Sequence, residues 1–381
     1  MRRLTLGAVI AMLVGAVAGL GAAAAQARVP VSFVGMGIDG PFFYPGMNES
    51  GEMAAIVGTG VGSVRTLFSW RAMQPYRSAA SVPASQRPFL VNAGGVPTDF
   101  SHSDDVVRVA ATHNVTVLPV LEYSPTWASR HPSDSAAPPT SDAAFARFAA
   151  ALVARYGPSG SFWSANRSVP KVPIRMWQIW NEPNFTSYWT TQPFERSYMK
   201  LVAAAHSAIK RADHGAKVVL AGLANFSWQY LTKIYKIHGA RKSFDVVAAH
   251  PYTATPQGVL TILGKVRATM NRFGDRNKPI MATEMSWPSA KGKAKTLFEN
   301  ATTESGEAKN ISKVVPLLAK NRKRLRLKAF YWYTWISNET LPGARNDPFN
   351  FAGLWKFINN VGSAAKPAYT AFVKAAHGIE H

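Results

Sequence analysis

The chain has 381 residues, 47% hydrophobic and 11% aromatic, a composition that excludes intrinsic disorder and suffices for a large core. It contains no cysteine, which excludes a disulfide framework and any thiolate-bound metal. Its 43 Lys and Arg against 21 Asp and Glu give a net charge of +22, which favours polyanionic partners such as acidic glycans, anionic envelope polymers or nucleic acid.

The chain opens with Met1-Arg2-Arg3, continues through an uncharged apolar run over residues 4–25 and reaches Ala25-Gln26-Ala27. These are the n-region, h-region and cleavage site of a secretory signal peptide covering residues 1–27. The run is also long enough for an uncleaved membrane anchor, but its Ala and Gly content and the cleavage signal favour removal. Residues 28–381 then form one exported, soluble domain.

Eight β-branched or apolar runs follow in chain order, each trailed by a helical pattern. They start near Phe33 (FVGMGID), Ser63 (SVRTLF), Val115 (VTVLPVL), Ile174 (IRMWQIW), Lys217 (KVVLAGL), Asp245 (DVVAAH), Pro279 (PIMATE) and Lys328 (KAFYWYTW). Their starts lie 28 to 59 residues apart, room for a crossover helix each time. One such helix, over residues 141–156, opens on Ser141 and Asp142 and is stopped by Gly157 and Pro158. The Pro/Ser-rich stretches 78–88 and 131–141 read as long surface loops, and neither tether nor repeat divides the chain.

Eight strand-helix units predict an α/β fold, a single (β/α)8 TIM barrel with extended βα loops. A doubly wound open sheet is the alternative, but no glycine-rich phosphate loop follows the first run. The densest basic segment, residues 313–328 (KVVPLLAKNRKRLRLK), lacks aromatic interleaving and alternates with apolar residues as a solvated helix face does. That pattern argues against nucleic acid as a partner.

In such a barrel the functional groups cluster where the strands end. The fourth run ends in Trp180-Asn181-Glu182-Pro183-Asn184 and the seventh in Thr283-Glu284-Met285-Ser286-Trp287, so Glu182 and Glu284 face each other across the mouth. A lone Glu there serves as easily in a salt bridge or a helix cap. Two at corresponding strand ends, each among aromatics, suit glycosidic cleavage: one carboxyl protonates the leaving oxygen, the other attacks the anomeric carbon or activates water. Repulsion and burial should hold one protonated while the other stays ionised. A separation of about 5 Å would mean retention of configuration, a much larger one inversion.

The segment WQIWNEPN resembles the acid/base motif of the clan A glycoside hydrolases, and IMATEMSW their nucleophile motif. GSVRTLFSWRAMQP around Arg65 and LEYSPTWAS at the third strand end are similar to family 39 and its relatives, with family 5 the second choice. The resemblance implies that Glu182 is the acid/base and Glu284 the nucleophile. It further implies that Asn181 binds a sugar 2-hydroxyl, and that in His250-Pro251-Tyr252 the His lines the glycone site while the Tyr donates to the nucleophile. Arg65 would pair with the nucleophile from below, and Trp335, in preference to Trp332, would form the sugar platform.

Trp127, Trp180 and Trp287 suit either sugar stacking or the barrel wall, and Asp39, Glu122 and Asn225 stand near other strand ends as pocket candidates. The nine His show no H-E-x-x-H spacing, and no G-x-S-x-G elbow is present, so neither a metal site nor a cofactor is expected. The expected substrate is an oligo- or polysaccharide, acidic or envelope-associated if the charge bears on it. A silent carbohydrate-binding barrel and a transglycosylase are the alternatives. Sugar identity resides in the loops 76–97, 131–141 and 287–303, whose composition does not encode it.

Overall fold

The computed structural model describes residues 29–359 and 362–379; the signal peptide expected over residues 1–27 lies outside the described residues. Eight parallel strands are β1 (Val34–Gly37), β2 (Ser63–Ser69), β3 (Thr116–Glu122), β4 (Met176–Ile179), β5 (Lys217–Val219), β6 (Val247–His250), β7 (Ile280–Met285) and β8 (Leu327–Trp332). Each is followed by a helix: α1 (Glu49–Gly58), α2 (Ser101–Thr112), α3 (Asp142–Tyr156), α4 (Glu195–Ala212), α5 (Ser227–Tyr235), α6 (Pro256–Arg272), α7 (Glu304–Leu325) and α8 (Pro367–His377).

The pairing order makes a closed ring. Strand β5 pairs with β4, and the segment Leu223–Ala224, a few residues further along the same run, pairs with β6. Between them Leu220 N donates to Val246 O at 3.0 Å and bridges the gap. The ring is the expected TIM barrel, with every expected run supplying a strand.

Alternation along each strand splits the apolar residues into two sets. Leu118, Val219, Val246, Ala248, Met281, Ala329 and Tyr331 fill the barrel interior, and a larger set packs the strands' outer faces against the helices. Gly35 is required by this packing: a Cβ there would lie 2.4 Å from Cδ1 of Tyr331.

Helix α3 is capped as its sequence predicts, Ser141 Oγ accepting from Ala144 N at 3.3 Å. Helix α7 carries Glu304 and Glu307 in its first turn and Arg322, Lys323 and Arg324 in its last, both favourable to the helix dipole. The basic segment 313–328 lies on α7 as far as Leu325, with Lys313, Lys320, Lys323 and Arg324 outward and Val314, Val315, Leu318 and Leu325 turned to the core; its last residues, Arg326 to Lys328, cap the helix and open β8. A small sheet of Ile336–Ser337, Trp355–Asn359 and Gly362–Ala365 was not anticipated and packs beside the barrel after β8. No helix among the described residues is long and apolar enough to cross a membrane.

Candidate active site

The turn that carries Glu182 leaves β4 through two strained residues, Trp180 at φ 68° and Glu182 at φ 38°, a region that non-glycine residues adopt only when held there. What holds it is packing: Trp180 is fully buried and its Nε1 donates to Tyr188 O at 2.6 Å. The result aims the Glu182 carboxyl inward, where its Oε1 shares a 2.6 Å hydrogen bond with His250 Nδ1 at the end of β6. The other ring nitrogen of His250 is 3.1 Å from Thr283 Oγ1 on β7, which fixes the ring plane.

Gly222, in the interruption of β5, makes room for this ring. A Cβ at position 222 would fall 1.8 Å from His250 Nε2, so no other residue fits without moving the histidine.

Glu284, on β7, is held at both oxygens. Arg65 Nη1 donates to Oε1 at 2.7 Å and Tyr252 Oη donates to Oε2 at 2.9 Å. The same guanidinium donates through Nε to Gln178 Oε1 and through Nη2 to Asn181 Oδ1, both at 2.9 Å, so it joins β2, β4 and β7. His250 Nδ1 is 3.5 Å from Glu284 Oε2, and one ligating atom from each of Glu182, His250 and Glu284 lies within 4.8 Å of the other two.

The surroundings split the two carboxyls. Burial pushes Glu182 above the ordinary carboxylate range, and the bond from His250 only partly offsets it. Burial acts on Glu284 too, but the charges of His250 and Arg65, with the hydrogen bonds from Tyr252 and Arg65, outweigh it and hold Glu284 below that range. One carboxyl is therefore disposed to keep a proton and its neighbour to give it up. Glu182, His250 and Glu284 also form a group able to ligate a cation, but Arg65 and Tyr252 already occupy the Glu284 oxygens.

Beside the pair, over the ends of β1, β2 and β3, opens a cavity of about 580 Å³. Glu284, Asn181 and Arg65 form part of its wall, with Asp39, Glu122, Tyr123, Tyr188 and Tyr333. Asp39 accepts from Thr66 Oγ1 at 2.8 Å and Leu67 N at 3.1 Å, whereas Glu122 is buried with Oε1 unpartnered and its carboxyl pushed well up by that burial.

Other expected residues lie elsewhere. Trp335 does not reach the cavity: it is fully buried, donates through Nε1 to Glu52 Oε2 at 2.7 Å and packs on Trp355 and Tyr369. The small sheet that follows β8 pulls it there, since Trp335 N donates to Gly37 O and Trp355 N to Trp335 O. Tyr333, two residues earlier, lines the cavity instead. Trp287 is buried against Trp332, and half-buried Trp127 donates to Gln74 O at 2.8 Å and packs edge-on to Trp70. Neither contributes to the cavity wall, and exposed Asn225 does not either. Tyr333, Tyr188 and Gly222 were missed because their positions depend on how the chain turns after a strand, which strand periodicity does not encode.

No protein-family model and no curated protein matches this sequence. Solved structures do. A family 39 glycoside hydrolase from the gut symbiont Bacteroides cellulosilyticus WH2 superposes with a TM-score of 0.64 at 16% identity, over 93% of this chain and 64% of that one. The chain has the fold of glycoside hydrolases. A monomeric beta-xylosidase from Caulobacter crescentus CB15 matches with a TM-score of 0.60 at 15% identity, over 91% of this chain and 69% of that one. The family 53 catalytic domain from Ignisphaera aggregans gives a TM-score of 0.58 at 20% identity, over 91% and 97%. This chain thus spans just under two thirds of the length of the family 39 hydrolase and nearly all of the family 53 domain. These likenesses include the family to which the strand-end motifs pointed.

Proposed function

We propose that this protein is a secreted retaining glycosidase that cleaves a β-linked glycan by double displacement. The observation that carries the reading is the pair of carboxyls within 4.8 Å of one another whose surroundings drive their protonation apart. That spacing matches the close pair of a retaining enzyme, since inversion needs room for a water between the two groups.

In the first step Glu284 attacks the anomeric carbon while Glu182 gives its proton to the glycosidic oxygen, and the aglycone leaves. In the second, Glu182, now a carboxylate, takes a proton from water as that water displaces Glu284. His250 serves both steps by holding the Glu182 carboxyl through its 2.6 Å hydrogen bond. Arg65 and Tyr252 keep Glu284 ionised and aimed, and Asn181, fixed by Arg65, is in position to meet a sugar hydroxyl in the cavity.

The cavity wall has Asp39, Asp99, Glu122 and Glu284 against Arg65, already engaged by Glu284, so a neutral sugar suits it better than an acidic one. The charge surplus that suggested an acidic or envelope-associated substrate comes from elsewhere on the molecule. The test is release of reducing sugar from neutral and acidic β-glycans and aryl β-glycosides by the secreted, N-terminally sequenced protein. Release should vanish in Glu284→Ala. In Glu182→Ala it should persist for activated aryl leaving groups, which need no protonation, and fail for sugars. Undiminished turnover in Glu284→Ala would refute the reading.

A further inference from the structure

The positive charge is concentrated on one flank. Residues 196–283 hold fourteen Lys and Arg against three Asp and Glu, and residues 308–338 hold eight against none. These two stretches supply nearly all of the net charge of +22. They build α4 to α7 and the turns beneath β5 to β8, the side of the barrel away from the cavity over β1 to β3.

The three acidic residues there are already engaged. Asp213 pairs with Arg175 at 3.1 Å, Asp245 with Lys210 at 2.9 Å, and buried Asp275 with Lys278 at 2.9 Å. Lys265, Arg272, Lys313, Lys320, Lys323 and Arg324 are exposed on α6 and α7. Hydrogen bonds tie these helices and the turns between them together. Buried Arg267 donates from α6 to Leu325 O at 3.0 Å and Lys278 O at 2.8 Å, and Arg326 donates to Asn277 O at 3.3 Å.

We propose that the α6–α7 flank is a docking surface for a linear polyanion, a polysaccharide bearing closely spaced carboxylate or phosphate groups, distinct from the bond the cavity would cleave. The positions Lys313, Lys320, Lys323 and Arg324 follow one face of α7 and span about 16 Å at 1.5 Å per residue, a stripe suited to successive charges of an extended chain. Neither α6 nor α7 contains an aromatic residue, and the rings beside α6, Trp228 and Phe273, are covered by Lys265 Nζ at 4.2 Å and by the Arg272 guanidinium at 5.2 Å. The affinity is electrostatic and is screened by salt. The proposal stands whether or not the cavity is catalytic.

Binding of the mature protein to immobilised polygalacturonate, duplex DNA and phosphatidylglycerol vesicles, across a salt series, tests it. Polygalacturonate should be bound at low salt and released as salt rises. Replacing Lys313, Lys320, Lys323 and Arg324 together by Glu should weaken that binding about tenfold or more, and replacing all four by Gln should weaken it less. Both variants should melt at the temperature of the parent and keep its circular dichroism, a readout of folding that does not depend on catalysis. Unchanged polygalacturonate binding in both variants, or binding by the parent to DNA or vesicles but not to polygalacturonate, would overturn the proposal.

Discussion

Arg65 Nη1 stands 2.7 Å from Glu284 Oε1 while its Nη2 donates to Asn181 Oδ1 at 2.9 Å, so one guanidinium from β2 fixes both Glu284 and the residue next to Glu182. Arg65→Met removes a charge that lowers the Glu284 pKa. With Glu284 ionised only at higher pH, the acidic limb of the kcat/KM profile should move up. The basic limb, set by the raised proton of Glu182, should move less. At the optimum kcat/KM should fall about a hundredfold. A pH profile of parent and variant on one aryl glycoside measures both limbs, and an unmoved acidic limb would show that Arg65 does not tune Glu284.

Gly222→Ala should be far more damaging than a one-carbon change suggests. The added methyl would sit 1.8 Å from His250 Nε2, so the ring must shift and its bond to Glu182 must break. Turnover of substrates with poor leaving groups should fall more than that of activated ones, because the loss is of proton delivery. Equal losses for both classes, in a variant that melts like the parent, would contradict this positioning role.

Much of the site was legible because strand ends are marked by local sequence. WQIWNEPN and IMATEMSW give Glu182 and Glu284 their places, and His250-Pro251-Tyr252 gives the two residues that contact them. The barrel was legible because strands covered on both faces stay apolar throughout, as IMATEM does in β7. The aromatic residue that lines the cavity after β8 was not. Whether Tyr333 or Trp335 faces the cavity is decided by the sheet of Ile336–Ser337, Trp355–Asn359 and Gly362–Ala365, whose short strands carry no distinctive periodicity. Nor could composition tell that the charge lies on a flank, since net charge has no direction.

That difference separates two tryptophan and tyrosine variants. Tyr333→Ala should raise KM several-fold with little change in melting temperature, because it removes a piece of cavity wall. Trp335→Ala should leave KM near the parent value and lower stability by about 3–5 kcal/mol, the usual result of emptying a buried aromatic site. Kinetics paired with chemical denaturation distinguish them, and the reverse pattern would restore Trp335 as the sugar contact.

Stability should also depend on pH through Glu307, a fully buried carboxyl 2.7 Å from Lys366 Nζ. Burial, only partly offset by Lys366, pushes it up to about 8. A folded-state pKa above the unfolded one makes the protonated form the better fit, so this group's contribution is complete below its ordinary value of 4.5 and is lost as pH rises through about 8. The paired replacement Glu307→Gln with Lys366→Met removes both charges and should flatten the melting temperature between pH 5 and pH 9, where the parent declines. A parent with no decline over that interval would show that Glu307 is ionised in the fold.

The most direct test of the two-step mechanism is mass mapping of the intermediate formed with an activated 2-deoxy-2-fluoro glycoside of the sugar the protein turns over. The fluorine slows the second step, and the account predicts one added sugar per chain, on the peptide containing Glu284. A sugar attached to any other residue, or sustained turnover of the parent glycoside with no adduct at all, would contradict Glu284 as the nucleophile.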